Sequence, residues 1–212
     1  MARCVIVSAC PVSPALAGLL RADDYLIACD AGYHNCEALG RRPDAVVGDF
    51  DSAPCPVAAP GEDLVVLPHV KDDTDTEYAA KLASREGYTE VLLLGCLGGR
   101  RLEHTLANLC TGLGLEQRGV RAVLQNERSR VTYLLPGQTR TYPRGVYFYL
   151  SVFPLEGRAE GVQIRGAFYE LTDATLTAGY PLGVSNEYAP GSDAITLSVR
   201  KGALAVIETR AD

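Results

Sequence analysis

The feature that most constrains the fold is a pair of short apolar runs, each followed by a cluster of carboxylates. The run at residues 45–47 leads into Asp49 and Asp51, and the run at residues 64–67 leads to the acidic segment 72–75. A strand buried in a parallel sheet reads as a continuous apolar run, and functional groups collect beyond the carboxyl ends of such strands. We therefore predict that both acidic clusters lie at one edge of a parallel sheet.

So much negative charge at one edge requires a cation. Asp49 and Asp51 are two residues apart, and side chains at that spacing in an extended segment point the same way, so both can bind one ion. The second cluster adds Asp72, Asp73 and Asp75. A small set of oxygen ligands suits Mg²⁺, which usually completes its coordination shell with water and substrate phosphate. The sequence therefore predicts a site for magnesium and a nucleotide.

Each acidic cluster also has a purely structural interpretation. Asp49 and Asp51 can form a turn that caps the next element. Thr74 and Glu77 have the spacing of a capping box, and the acids around them would then favour a helix N-terminus by ~0.3–1 kcal/mol each. That account explains one or two acids more easily than three. A helix start also presents N–H groups to phosphate, so the two interpretations are compatible.

The order of the elements predicts two domains. Apolar runs alternate with helical segments up to Asn126, which indicates a Rossmann-like α/β domain at residues 1–126 with a mostly parallel sheet. After Asn126, alternating and β-branched runs are separated by Gly, Pro and polar turns, which indicates an all-β sandwich at residues 127–212. The last helix of the α/β domain is predicted at residues 104–118, and its buried face is predicted to carry Leu106, Leu109, Cys110 and Leu113.

Two glycine-containing segments are candidates for binding an anion. Asp30 and Gly32 follow the apolar run at residues 25–29, where they can meet a ribose or phosphate or can form a plain turn. Gly95, Gly98 and Gly99 form a flexible turn, and Arg100 and Arg101 after them are the counter-charges that an anionic ligand needs. His104 opens the next helix, where a capping or packing role is at least as good an explanation as chemistry.

One polar cluster stands out in the second half of the chain. Ser185, Asn186 and Glu187 supply hydrogen-bond donors and acceptors that suit the edge of a heterocycle. A tripeptide of this kind is more often a turn, so its composition alone does not decide between the two.

The bulk composition excludes several classes of protein. Of the 212 residues, 47% are hydrophobic and 22% charged, which is typical of a globular protein. A formal charge of -6 argues against binding to nucleic acid or to an anionic membrane, because such proteins usually carry a basic face. The N-terminal apolar run is too short for a signal peptide or a membrane span. The seven cysteines lack a Cys-x-x-Cys pair and fit reduced thiols, so we expect a cytoplasmic protein.

Taken together, these motifs resemble those of one known family. GDFDS at 48–52, KDDTD at 71–75, GGR at 98–100, HTLAN at 104–108 and SNE at 185–187 are similar, in that order, to motifs of thiamine pyrophosphokinases, also called thiamine diphosphokinases. The resemblance runs from about Asp30 to the C-terminus. It implies an ATP- and magnesium-binding catalytic α/β domain, a thiamine-binding β domain, and a homodimer whose sites lie between subunits. It also implies transfer of the pyrophosphoryl group of ATP to the hydroxyl of thiamine, with release of AMP.

The resemblance further implies roles for particular residues. Those expected to bind Mg²⁺ are Asp49, Asp51 and Asp75, and Asp72 joins them in the catalytic set. Those expected to bind ATP are Asp30, Gly32, Lys71 and Asp72, together with Arg100, Arg101 and His104 around its phosphates. Those expected to contact thiamine are Glu103, Ser185 and Asn186.

The sequence departs from the family pattern at three places. The segment GGRRLEH has one residue more than the usual motif and places Glu103 where Asp is expected, which leaves Arg100 and Arg101 as alternative phosphate ligands. Asp30-Ala31-Gly32 replaces the usual Asp-Gly-Gly. Some members stack thiamine on Trp, and since this chain has no Trp, a Tyr or an aliphatic wall must serve.

Two other functions fit the same residues. A diphosphokinase for another alcohol, such as a hydroxymethylpterin, would keep the α/β site and change the acceptor. A non-catalytic sensor of nucleotide or thiamine would have lost the chemistry through the altered GGRRLEH turn. We favour the enzyme, because a binding protein has little use for so many convergent carboxylates. A rim carboxylate such as Asp51 or Asp72 can accept the hydroxyl proton, and the sequence does not choose between them.

Overall fold

The computed structural model describes residues 3–49, 63–66 and 72–211. The contacts within the chain divide it into two compact units, Met1–Glu127 and Arg128–Asp212. The first unit is α/β and the second is all-β, which confirms the predicted fold class.

The first unit is built on a parallel sheet. Its strands are β1 (Cys4–Val7), β2 (Tyr25–Cys29), β3 (Ala45–Gly48), β4 (Asp63–Val66), β5 (Glu90–Leu94) and β6 (Arg121–Gln125). They lie in the order β6-β5-β1-β2-β3-β4, and every neighbouring pair is parallel. The chain therefore runs outward from β1 to β4 and then returns to the other side of β1. Ligands of such sheets bind beyond the carboxyl ends of the strands, at this reversal of strand order.

Helices cover both faces of this sheet. The segments are a 3₁₀ helix (Pro14–Leu19), α1 (Gly32–Ala38), α2 (Asp75–Arg85) and α3 (Leu102–Gln117). On one face, Val5 and Val7 belong to the same core as Cys36 of α1. Successive strand residues point to opposite faces, and Ser8, just after β1, bonds Thr76 of α2 through their hydroxyls at 2.8 Å. The first unit is therefore a three-layer α/β/α domain.

The predicted capping of α2 is confirmed. The Glu77 backbone N–H donates to the Thr74 hydroxyl at 3.1 Å, so Thr74 is the N-cap. Nearby, Lys81 donates to Asp73 at 2.6 Å. One acid of the second cluster, Asp73, is therefore engaged in an ion pair on the helix surface.

The predicted buried face of α3 is wrong. Leu106 is 57% exposed and Cys110 is exposed. The residues that are buried instead are Asn108, Thr111, Gly112, Leu115 and Glu116. Small residues such as Gly112 let a helix approach its neighbours closely, and the buried Glu116 carboxylate accepts a hydrogen bond from the Ala122 backbone N–H at 3.0 Å. Apolar spacing alone cannot show that a polar face is the buried one.

The second unit contains two four-stranded antiparallel sheets. Its strands are β7 (Ser129–Leu134), β8 (Thr139–Pro143), β9 (Tyr149–Pro154), β10 (Arg158–Arg165), β11 (Leu171–Thr177), β12 (Asn186–Glu187), β13 (Ala194–Ser198) and β14 (Leu204–Thr209). One sheet has the order β12-β9-β14-β7 and the other β11-β10-β13-β8. Inward-facing residues from both sheets, including Leu150, Ile164, Leu197 and Val206, form one core. This arrangement is a β-sandwich.

The segment 161–171 is predicted from its sequence to be one β-strand, but the structure divides it. Strand β10 ends at Arg165 and β11 begins at Leu171. At Gly166 the backbone has a φ of +75°, and a Cβ atom there would overlap the Ala194 carbonyl oxygen. The segment 166–170 is therefore a connection between strands.

Within the described part of the chain, no helix combines the length and the apolar character that crossing a bilayer requires.

Candidate active site

Three acids lie at the carboxyl edge of the parallel sheet. Asp30 follows β2, Asp49 follows the adjacent strand β3, and Asp75 is the first residue of α2. The Asp30 backbone N–H donates to the Val47 carbonyl at 2.9 Å. The Cys29 thiol at the end of β2 donates to the Asp75 carbonyl at 3.6 Å. The strand ends thus bring together acids that are far apart in the sequence.

Two of these acids have a carboxylate oxygen inside the protein. The Oδ1 atoms of Asp30 and Asp75 are both shielded from solvent. Burial raises the pKa of the Cys29 thiol well above its usual value, and the nearby charges of Asp75 and then Asp30 add to the rise. Carboxylates shielded in this way favour positive charge close to them. The edge therefore suits a cation.

Two of the predicted site residues lie outside the described residues. They are Asp51, predicted to bind the metal, and Lys71, predicted to bind ATP, so the set Asp49, Asp51 and Asp75 is described only in part. Among the residues that are described, no three His, Cys, Asp or Glu side chains are grouped as a metal site. Asp72 is exposed and lines a cleft of about 360 Å³ between α2 and α3.

The backbone at Asp30 and Gly32 is shaped by the strand ends. Asp30 has a φ of +48°, a left-handed conformation that non-glycine residues seldom adopt and that recurs at functional sites. At Gly32 a Cβ atom would overlap the Val7 carbonyl oxygen. Gly32 is therefore required where the start of α1 packs against β1. From the sequence, glycine was expected here because it lets a ligand approach the backbone closely. The structure gives a different reason, which is packing.

The turn between β5 and α3 carries the two arginines. Gly98 and Gly99 both have positive φ, at +90° and +82°. Arg101 donates from Nε to Glu103 Oε1 at 2.8 Å, and this hydrogen bond is the main reason that the pKa of Glu103 is lowered. Arg100 is exposed and has no ion-pair partner among the described residues. His104 lies in the first turn of α3, and its backbone N–H donates to the Arg101 carbonyl at 3.1 Å.

In the second unit, Asn186 binds backbone rather than facing solvent. Asn186 as a whole residue is 2% exposed. The amide oxygen accepts from the Tyr169 N–H at 3.0 Å and from the Glu187 N–H at 3.0 Å, and the amide nitrogen donates to the Tyr169 carbonyl at 2.7 Å. Phe168 and Tyr169 remain 59% and 66% exposed, with their rings edge to face. Asn186 thus holds an exposed aromatic pair.

Ser185 has a different environment from Asn186. It is exposed, its φ is +54°, and its N–H donates to the Ser151 hydroxyl at 2.9 Å. Asp30 and Ser185 are two of the three described non-glycine residues with positive φ, the third being Asp173. Both were singled out from the sequence, whereas Tyr169 was not. Its only signal was the aromatic pair Phe168–Tyr169 shortly after Gly166, in a segment that looks like an ordinary strand.

Fold and geometry together define a class of protein. It has a doubly wound α/β domain with an acidic site at the strand ends, followed by a β-sandwich. The family model for the thiamin pyrophosphokinase catalytic domain matches residues 16–124, and the model for the thiamin pyrophosphokinase vitamin B1 binding domain matches residues 140–204. The chain belongs to the thiamin pyrophosphokinase family.

Solved structures are similar over nearly the whole chain. Thiamine pyrophosphokinase from Bacillus subtilis matches with a TM-score of 0.87 and 23% identity, covering 99% of this chain and 100% of its own. The enzyme from Geobacillus thermodenitrificans matches with a TM-score of 0.85 and 28% identity, covering 99% and 98%. Yeast thiamin pyrophosphokinase matches with a TM-score of 0.78 and 10% identity, covering 98% and 86%. A search of curated protein sequences gives no match.

Proposed function

We propose that this protein transfers the pyrophosphoryl group of ATP to the hydroxyl of thiamine, which gives thiamine diphosphate and AMP. The observation that carries the proposal is the gathering of Asp30, Asp49 and Asp75 at one edge of a domain that matches the family's catalytic model. Pyrophosphoryl transfer depends mainly on positioning the reactants and on neutralising phosphate charge. An acidic edge that holds a cation, with arginines nearby, supplies both.

Asp49, Asp51 and Asp75 would hold Mg²⁺. The donor chemistry fits, because these are oxygen ligands and an oxygen of Asp75 is shielded from solvent at this edge. When bound there, Mg²⁺ would neutralise charge on the transferred group. We expect EDTA to abolish AMP release and added Mg²⁺ to restore it, while Ca²⁺, which prefers more ligands at longer distances, restores less.

The nucleotide would lie across the ends of β1, β2 and β5. Asp30, Gly32, Lys71 and Asp72 would order it, with His104 at the start of α3. Arg100 is the better phosphate ligand of the two arginines, because Arg101 already pairs with Glu103. Arg100→Ala is therefore expected to raise the KM for ATP more than Arg101→Ala does. The reverse order would assign the phosphate contact to Arg101.

Thiamine would bind to the second unit. The Ser185 hydroxyl is exposed and can reach the pyrimidine, whereas Asn186 would act by fixing Tyr169, whose exposed ring would stack on the heterocycle. Glu103 would contribute from the first unit. The hydroxyl proton of thiamine would pass to Asp51 or Asp72, and Asp72→Asn tests one of these alternatives.

The functional protein would be a homodimer in which the first unit of one subunit works with the second unit of the other. Exposed apolar residues on α3, Leu102 and Leu106, support an interface of this kind. Co-expressing Asp75→Asn with Tyr169→Ala, and assaying at a thiamine concentration well below KM, tests it. Mixed dimers would contain one intact site of two, so activity should recover to about a quarter of the wild-type value. Sites contained within one subunit would show only the residual activity of Tyr169→Ala. The six described cysteines, all free, support a reducing compartment such as the cytoplasm.

The decisive experiment incubates the protein with ATP, Mg²⁺ and thiamine and measures AMP and thiamine diphosphate. Formation of both in equal amounts is expected. A hydroxymethylpterin in place of thiamine serves as the control acceptor and should give no AMP. Tight binding of thiamine without any AMP would instead indicate a sensor.

A further inference from the structure

Thr105 holds the turn that carries the two arginines. Its hydroxyl oxygen accepts a hydrogen bond from the Gly98 N–H at 3.0 Å, and the hydroxyl donates to the Gly98 carbonyl at 3.2 Å. One side chain therefore binds both polar groups of the same residue. Thr105 belongs to the segment HTLAN, which is part of the family resemblance, but the sequence assigned no role to Thr105 itself.

Two other side chains hold the same turn. The Cys10 thiol, just beyond β1, also donates to the Gly98 carbonyl at 3.2 Å, and a Cβ atom at Gly99 would lie 2.7 Å from its sulfur. Asn108 is three residues after Thr105, on the same side of α3, and donates to the Cys96 carbonyl at 2.8 Å. The turn is thus attached to α3 at two points and to the end of β1 at a third.

A turn of this composition needs such attachment. Gly98 and Gly99 both have left-handed φ values, and glycine has more conformational freedom to lose on ordering than any other residue. The guanidinium groups of Arg100 and Arg101 extend from the backbone immediately after these glycines. If the Gly98 peptide rotates, the arginines move with it. The position of the positive charge over a bound nucleotide therefore depends on how firmly Gly98 is held.

The Thr105 hydroxyl does not serve to begin the helix. The N-cap of α3 is Arg101, which makes no side-chain capping hydrogen bond, and Thr105 lies four residues further on. Its hydrogen bonds are exposed, and such bonds contribute only ~0.5–1.5 kcal/mol to stability. If Thr105 only stabilised the fold, its contact with both the N–H and the carbonyl of Gly98 would be incidental. A role in positioning Gly98 explains why both groups are bound.

We propose that Thr105 is a positioning residue that sets the Gly98–Gly99 turn so that the arginine following it meets the phosphate groups of ATP. The inference rests on the proposed function, because it takes ATP as the ligand. Thr105 touches neither the reacting atoms nor the substrate in this proposal. It acts through the backbone of Gly98.

The test compares Thr105→Val, which keeps the side-chain shape and loses the hydroxyl, with Thr105→Ser, which keeps the hydroxyl. Thr105→Val should lower kcat/KM for ATP by about 10- to 100-fold, since small misplacements of binding groups have effects of that size. The KM for thiamine should stay unchanged, and Thr105→Ser should recover most of the loss. Thr89→Val, the same substitution just before β5 at the opposite edge of the sheet, is the matched control.

A second measurement separates positioning from structure. In a chain where Arg100 and Arg101 are both alanine, Thr105→Val should cause little further loss, because its effect is transmitted through them. An equal loss in both backgrounds, or unchanged ATP kinetics in Thr105→Val, would overturn the proposal. Calorimetry with ATP and no thiamine should show that Thr105→Val binds ATP more weakly than the wild type. This measurement works even if no variant turns over. Absence of AMP release from the wild-type protein therefore counts against the proposed function, whereas equal ATP binding by both proteins counts against the role of Thr105.

Discussion

The candidate groups of the α/β unit lie where neighbouring strands end, whereas those of the β-sandwich depend on one buried amide. Asp30 and Asp49 follow adjacent parallel strands, so the sheet itself brings them together. In the second unit, Tyr169 is held by the side chain of Asn186, a residue 17 positions away. A parallel sheet therefore gathers functional groups through its topology, while the sandwich needs a specific contact between a side chain and a backbone segment.

The largest effect is expected from a substitution at the acidic edge. Asp75→Asn should lower kcat by about 10² to 10³-fold, the cost of removing a group that stabilises charge in the transition state. The stability of the Asp75→Asn variant should change little, because an acid in the first turn of a helix contributes at most ~1 kcal/mol to the stability of the fold. Steady-state AMP release and thermal unfolding measure the two effects.

Asp73→Asn is the matched control, since Asp73 lies two residues away and pairs with Lys81 on the surface. It should retain near-normal turnover. Comparable losses in the two variants would mean that the second cluster acts only through its overall charge.

The next effect concerns the sandwich alone. Tyr169→Ala should raise the KM for thiamine by about 10-fold or more, because stacking of an aromatic ring on a base contributes ~1–3 kcal/mol. The KM for ATP should stay unchanged, and Tyr169→Phe should behave like the wild type. Tyr180→Ala is the control, since both tyrosines are 66% exposed. If the two alanine variants give the same thiamine kinetics, Tyr169 is not the stacking residue.

A smaller kinetic effect, joined to a loss of stability, is expected from Asn186→Ala. The substitution leaves the Tyr169 and Glu187 backbone groups without their partner, at ~1–3 kcal/mol for each group that stays buried. Both the melting temperature and the affinity for thiamine should fall, whereas Tyr169→Ala keeps those backbone bonds and should lower the affinity only. Unchanged thiamine affinity in a less stable Asn186→Ala protein would leave Asn186 with a structural role alone.

The smallest effect concerns a buried acid of the sandwich that has no proposed function. Burial raises the pKa of Glu208, and its bidentate bonds to Arg130 at 2.7 Å oppose the rise. Because the folded-state pKa is raised, the folded protein binds the proton more tightly than the unfolded chain does. Stability is therefore lost as the pH rises from the ordinary Glu value through the raised pKa. Over that pH range the melting temperature of the wild type should fall more than that of Glu208→Gln, by a few degrees at most. An equal fall in both proteins would contradict this.

Patterns along the chain predicted the architecture well, because each depends on neighbours in sequence. Continuous apolar runs located the parallel strands, and the spacing of Thr74 and Glu77 located the start of α2. The same kind of reasoning failed for α3, whose apolar residues Leu106 and Cys110 are exposed. There, the buried side is the one that carries Asn108, Thr111 and Glu116, and the Glu116 carboxylate accepts a hydrogen bond from the Ala122 N–H.

What the sequence by itself determined is the order of strands and helices, the change from α/β to all-β structure, and the ends of strands at which acids accumulate. Each of these follows from the periodicity of side chains along one segment. The tertiary structure alone decided that Asn186 binds the backbone of Tyr169, that Thr105 binds Gly98, and that Asp73 is engaged by Lys81. Those contacts depend on how a side chain of fixed length meets a backbone group or charge brought to it by folding, and no local pattern encodes that distance.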